Sequence, residues 1–323
     1  MLQNLLRSSA TAALFLSLTA APLLAQDVEL PDPPQTLQMH RVADTFVALP
    51  VTIGDGEPMN WILDTGASHS AIAQTIAEEL GFVSARQSLA PELDPVQTLT
   101  RMYDAERFWT RDMSIAGRPL QDINMVVVPV PPEGPSIAAG LLGYDAFAEH
   151  DLRINFDTGE LELGEQTVEH TDARIDPDRQ LIFAAARVGA PRRYARVLID
   201  SGSPVTLVNN ELKQALSSGG VQLRTVTGVD GLRNEQAAPV VLRNLRVGGV
   251  CMGRQSALHA DLDIFDALGW DEEPAILIGM DLLPYIEMTL DKDSGAVEIS
   301  AVRDQDVCDQ RIQWDRRFGD QPA

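Results

Sequence analysis

The chain has 323 residues, enough for two domains with their own cores, and 47 acidic against 25 basic residues give a formal net charge of -22. Only two of the basic residues are lysines, Lys213 and Lys292. This balance excludes the basic stripe that nucleic acid requires and a patch for anionic membranes, and it fits a soluble surface that resists aggregation.

Residues 1–25 read as a secretory signal. Arg7 is the sole charge, Ala10 to Ala25 is largely apolar, and Ala25 offers a small-residue cleavage point. Thr11, Ser17, Thr19 and Pro22 interrupt the run, which is short for a membrane span. The expectation is an exported chain that is free of the membrane after cleavage. A periplasmic home is expected, and secretion beyond the envelope stays open. Residues 26–43, with Pro31, Pro33 and Pro34, read as an extended lead-in.

The first lobe is expected over 44–164. Val47 to Ile53 and Asn60 to Leu63 form a hairpin whose second strand runs into Asp64-Thr65-Gly66-Ala67. A continuously apolar run before the acid predicts a strand buried on both faces, and an acid at its end is costly unless it is hydrogen-bonded or used. A short helix is expected over Ala71 to Leu80, stopped by Gly81. Residues 84–110 read as the lobe's most irregular stretch, polar and poor in glycine. A strand follows at Ile123 to Val130, then Gly140 to Gly143, a helical turn near Asp145 to Glu149, and a hairpin on Asp157-Thr158-Gly159.

Residues 165–180 are polar and read as a linker to a second lobe over 181–301. There Leu181 to Val188 and Tyr194 to Ile199 repeat the opening hairpin and deliver Asp200 onto Ser201-Gly202-Ser203. A helix is expected at Asn209 to Leu216, a glycine-rich hairpin at Thr227 to Gly231, and strands at Leu245 to Cys251 and Ser256 to Asp261. Asp263 to Trp270 reads as a helical insertion before Ile276 to Gly279, and a hairpin turns on Asp293-Ser294-Gly295. Residues 302–323 form a charged tail.

Spacing ties the halves together. Asp200 minus Asp64 is 136, and Gly279 minus Gly143, Asp281 minus Asp145 and Gly295 minus Gly159 give the same 136. A repeat this long is a duplicated domain, not a solenoid unit. The apolar-apolar-Asp-[Thr/Ser]-Gly turn, followed in each half by an apolar-apolar-Gly segment, resembles the aspartic protease superfamily. The first turn is most similar to the retropepsin-like form, and the two-lobed layout to pepsins. The resemblance implies a mostly β fold: two similar closed barrels in one chain, related by a pseudo-two-fold axis, with short helices.

It also implies an aspartic endopeptidase in which Asp64 and Asp200 share a proton and activate a water against a peptide bond. Thr65 and Ser201 would then reach across to the opposite turn, and Gly66 and Gly202 would let backbone N–H groups approach the acids. Ser203 has a hydroxyl to offer Asp200, which Ala67 lacks. Pepsin-like enzymes place a tyrosine on a flap over the substrate, and Tyr103 stands where one would fall; by itself it reads rather as an ordinary half-buried tyrosine. A polypeptide substrate and a monomer are expected, with no cofactor. Five scattered histidines and two cysteines give no metal site. Cys251 and Cys308 fit one disulfide in an exported protein or two free thiols, and the sequence leaves both open. The alternative function is a non-catalytic peptide-binding or scaffold protein on the same fold.

Overall fold

The computed structural model describes residues 35–82, 93–129, 138–189, 193–214, 216–218, 223–227 and 234–302, all within one compact unit. The signal at 1–25, the start of the lead-in, Gly228 to Gly231, and the tail beyond Val302 with Cys308 lie outside these described residues.

The opening hairpin forms as the apolar pattern requires: Phe46–Ile53 pairs antiparallel with Met59–Leu63. Met59–Leu63 pairs in parallel with Gly140–Leu142, which runs antiparallel to Ala71–Ala73. Ala71–Ala73 is parallel to Ile123–Val128, and that strand is antiparallel to Arg107–Thr110. After a bend at Asp112, which has a φ of 57°, Met113–Ile115 pairs with Phe46–Ile53.

The second lobe follows the same circuit in the same senses. Ile182–Val188 pairs with Arg193–Ile199, then Ala275–Ile278, Leu207–Val208, Val250–His259 and Asn234–Val247 follow, the last returning to Ile182–Val188. The second lobe is a closed six-stranded β-barrel, and the first is a half-barrel sheet whose two ends are joined by the chain at the Asp112 bend, with few short helices in either.

Three local expectations change. The helix anticipated from Ala71 begins only at Gln74, because Ala71–Ala73 is taken up as a strand between two partners. Its counterpart Asn210–Lys213 is capped by Asn209, whose side chain accepts from the Leu212 N–H. The strand anticipated over Leu245 to Cys251 is instead the end of one long strand and the start of another, reversing at Gly248-Gly249 with Gly248 at a φ of 52°. The glycine-poor stretch before 110 contains an ordered hairpin, Asp94–Gln97 with Met102–Ala105. Its turn is closed without glycine: the Thr98 hydroxyl donates to the Arg101 carbonyl at 2.9 Å and accepts from the Arg101 N–H at 3.2 Å.

A sheet joins the barrels, in the order Gln35–Gln38, Glu160–Leu163, Leu152–Asn155, Ile286–Leu290, Ala296–Ala301, Ala173–Ile175. At its centre Arg153 lies opposite Thr289, its own mate at the 136-residue offset, while Leu152 faces Leu290 and Ile154 faces Met288. That exchange marks the pseudo-two-fold axis. The repeat also reaches upstream into the lead-in. Leu37 pairs with Leu161 as Ala173 pairs with Val297, so Gln35–Gln38 is the counterpart of Ala173–Ile175.

The lobes fill matching places differently. Trp61 faces Gly140 in the first barrel where Val197 faces Ile276 in the second. A Cβ on Gly140 would collide with the Trp61 ring and with the Ala71 carbonyl oxygen. The second collision is with backbone and cannot be relieved by trimming the tryptophan. Gly140→Ala is therefore expected to destabilise the protein by about 1–3 kcal/mol or more, and adding Trp61→Val should not restore it. Thermal denaturation of the two variants checks this; recovery in the double variant would show that the clash is with the side chain alone.

Candidate active site

Each acid sits where a strand buried on both faces gives out. Asp64 follows Met59–Leu63 and Asp200 follows Arg193–Ile199, and the two are only 8% and 5% exposed. Their backbone N–H groups continue the parallel ladders, Asp64 donating to the Leu142 carbonyl at 2.9 Å and Asp200 to that of Ile278 at 3.0 Å. The chain then folds back on each carboxylate. The Gly66 N–H donates to Asp64 Oδ1 at 3.0 Å, and the Gly202 N–H donates to Asp200 Oδ1 at 2.9 Å.

The turns are tied together across the axis by an exchange of hydroxyls. Thr65 Oγ1 accepts from the Ser201 N–H at 3.0 Å and donates to the Ile199 carbonyl at 3.0 Å. Ser201 Oγ accepts from the Thr65 N–H at 3.0 Å and donates to the Leu63 carbonyl at 2.7 Å. With the turns locked in this way, a Cβ on Gly66 would overlap the Asp200 carboxyl, and one on Gly202 would overlap that of Asp64. Only glycine leaves room for each acid to lie against the opposite turn.

The carboxyls meet and hydrogen-bond each other. Burial pushes Asp64 up to about 6, against the pull of N–H groups from Gly66, Gly202 and Ala67. Burial, and next the neighbouring Asp64 charge, raise Asp200 well above the usual carboxylate range. Two carboxyls so placed disfavour each other's ionisation, and their titration belongs to the pair.

Behind each turn stands a second carboxylate. Asp145 accepts from the Ser70 hydroxyl at 2.6 Å and from its N–H at 2.8 Å, and the Gly143 N–H donates to Ser70 Oγ at 3.0 Å. In the second lobe the Thr206 hydroxyl donates to Asp281 at 2.7 Å, and the Gly279 N–H donates to Thr206 Oγ1 at 3.2 Å. Burial raises both Asp145 and Asp281. Sequence reasoning marked these two aspartates only as landmarks of the repeat. The missed signal was a hydroxyl at the same spacing, Ser70 and Thr206.

The remaining expected residues fall as follows. The Ser203 hydroxyl does not reach Asp200: it donates to the Val205 carbonyl at 2.9 Å, and only its backbone N–H acts on the acid. Tyr103 lies on the Met102–Ala105 strand, half-buried beside Val96, Ala71 and Leu141, with the Arg101 guanidinium 5.3 Å from its ring centre. Cys251 is buried and disulfide-bonded; Cys308 lies outside the described residues. Among the described residues no three His, Cys, Asp or Glu side chains gather as a metal site, and no helix is long and apolar enough to cross a membrane.

A family model described as aspartyl protease, of the retropepsin-like clan, matches residues 49–146. No curated protein matches the chain.

The acid pair has a consequence for folding. Both carboxyls bind protons more tightly folded than unfolded, so their contribution to stability is fullest below about pH 4; Asp64's share is lost as pH rises through about 6, and Asp200's as pH rises through its own raised range. Asp200→Asn removes the latter loss. At pH 7 it should melt above the parent by the equivalent of roughly 1–3 kcal/mol, with the gap closing toward pH 4. Parallel melting curves across that range would overturn the buried pair.

Proposed function

Because residues 49–146 match a family model described as aspartyl protease, we propose that the whole chain is an exported, monomeric aspartic endopeptidase, in which Asp64 and Asp200 together hydrolyse the peptide bonds of an extended polypeptide. The observation that carries this reading is one buried acid per lobe, each hydrogen-bonded to the other at the meeting of two matching turns. The second barrel lies outside the family match, and its identical circuit of strands supports an origin by internal duplication. The apolar run at 10–25 and a disulfide at Cys251 support export, with the periplasm as the expected compartment.

The chemistry follows from the shared proton. The ionised member of the pair takes a proton from a water lying between the carboxyls, and the water oxygen attacks the peptide carbonyl carbon. The protonated member gives its proton to the carbonyl oxygen, so a neutral tetrahedral diol forms without a covalent bond to the enzyme. Collapse of the diol breaks the C–N bond as a carboxyl proton passes to the leaving nitrogen and one diol hydroxyl gives its proton to the ionised carboxylate. An acid and an amine are released, and the pair again holds one proton. Thr65 and Ser201 touch no reacting atom; their role is to keep the two acids at bonding distance throughout.

The test is hydrolysis of an unfolded protein from pH 3 to 8 by the signal-free chain, beside Asp64→Asn and Asp200→Asn. Hydrolysis needs the singly protonated pair, so activity is expected to rise as pH passes about 6, where Asp64 ionises while Asp200, raised by burial and by the Asp64 charge, keeps its proton, and to fall again once Asp200 also ionises. Either substitution should lower the rate by about 10²–10⁴-fold with folding retained. Hydrolysis untouched by either variant would end the proposal, and peptide binding without turnover would point to a scaffold instead.

A further inference from the structure

The chain holds 47 acidic residues against 25 basic ones, yet the outer side of its second lobe runs against that balance. The strands Ile182–Val188, Arg193–Ile199, Asn234–Val247 and Val250–His259 carry six arginines, at 187, 193, 196, 243, 246 and 254, and one acid, Glu235. Register sets like charges face to face: Arg187 lies directly opposite Arg246, and Arg243 directly opposite Arg254. Arg187, Arg243 and Arg254 are exposed, and the Arg187 guanidinium stands 5.6 Å from the ring centre of the exposed Tyr194. Like charges so placed weaken a sheet. An anionic group laid over them would offset that cost.

Cys251 marks where such a group is anchored. It stands opposite Arg246 and between Val250 and Met252, which both point into the core, so its side chain faces outward with the arginine. It is nevertheless buried, and it is disulfide-bonded. The chain's only other cysteine is Cys308. From Val302 to Gln310 the sequence holds three acids, Asp304, Asp306 and Asp309, and one base, Arg303. The tail also starts beside the strand to which a bond at Cys251 would return it. The Gly249 N–H, two residues before Cys251, donates to the Ile299 carbonyl at 2.9 Å.

The reach agrees. Arg254 is three residues along the strand from Cys251, and Arg187 is two strands across, each roughly 10 Å away at ordinary strand spacings. Extended chain from Cys308 spans at most about 7 Å to Asp306 and about 14 Å to Asp304.

We propose that Cys308 is the partner of Cys251, and that the arginine face of the second lobe is a docking surface for the acidic segment 304–309 of the same chain. The inference stands apart from the endopeptidase reading and does not rest on it. Exposed ion pairs contribute little one at a time. A segment tethered beside the face meets it at high effective concentration, however, so several weak pairs suffice to seat it. Charge seats the segment, and the disulfide keeps it there.

Two measurements on the signal-free chain test this. Peptide mapping without reductant should join the Cys251 peptide to the Cys308 peptide in a monomer; a covalent dimer would overturn the proposal. The second measurement is the equilibrium of the disulfide against glutathione, in which the two thiols pass two electrons and two protons to oxidised glutathione and two reduced glutathiones form. Arg187→Gln with Arg243→Gln and Arg254→Gln should lower the effective concentration of the thiol pair about tenfold at low salt. Asp304→Asn with Asp306→Asn and Asp309→Asn should do the same. All six substitutions together should lower it no further, and about 1 M salt should bring the parent down to the level of the variants. An equilibrium unmoved by either set, or two effects that simply add, would overturn the docking.

Discussion

Everything at the centre of this molecule depends on two hydroxyls changing partners across an axis. Thr65 and Ser201 each spend their O–H on the opposite lobe's strand and accept that lobe's N–H in return. Both are buried, so no water stands by to replace a lost bond, and a donor or acceptor orphaned there costs about 1–3 kcal/mol. The exchange is reciprocal, and loosening one turn exposes the bonding groups of the other. A pair of barrels that could otherwise slide is held to one relative position, at the one place where a small shift matters.

That constraint explains how the acids can be kept with no cation against them among the described residues. A buried carboxylate ordinarily calls for an arginine or a lysine, or gives up its charge. Here each acid has N–H groups from its own turn and lies against the other acid. The turns supply enough hydrogen bonds to hold one negative charge, and the crowding of the second acid leaves no room for another. Gly66 and Gly202 are part of the same account, since any side chain would push the carboxyls apart. Asp145 and Asp281 extend it one layer back, fixing through Ser70 and Thr206 the strands that support the turns.

How much of this can be read from residues alone depends on whether the signal is local or relational. The buried acid strands, the glycine turns and the 136-residue repeat are patterns along the chain, and they recur in space with unchanged register. The other two Asp-[Thr/Ser]-Gly turns, Asp157-Thr158-Gly159 and Asp293-Ser294-Gly295, behave as their flanks indicate: Gly159 and Gly295 sit at positive φ in ordinary hairpins. What was hidden is what depends on a distant partner. Ala71–Ala73 looks like the start of a helix until two strands claim it, and Gln35–Gln38 looks like a lead-in until Glu160–Leu163 pairs with it. The turn at Thr98 carries no glycine, because a threonine hydroxyl closes it.

The symmetry is a matter of backbone, and the side chains have departed from it. Beyond the first acid turn stand Ser68 and His69, with the hydroxyl 2.8 Å from the ring; the second offers Pro204 and Val205, and Val205 packs into an apolar cluster of the second lobe. One barrel fills its interior with Trp61 over a glycine, the other with Val197 beside an isoleucine. Leu99 of the first lobe reaches into that cluster, beside the helix Asp263–Ala267 of a connection four residues longer than its counterpart. A dimer of identical lobes cannot make such a division, because any change on one side appears on the other. Two lobes within one chain are each free to differ, so the acids remain equivalent while the walls around them need not.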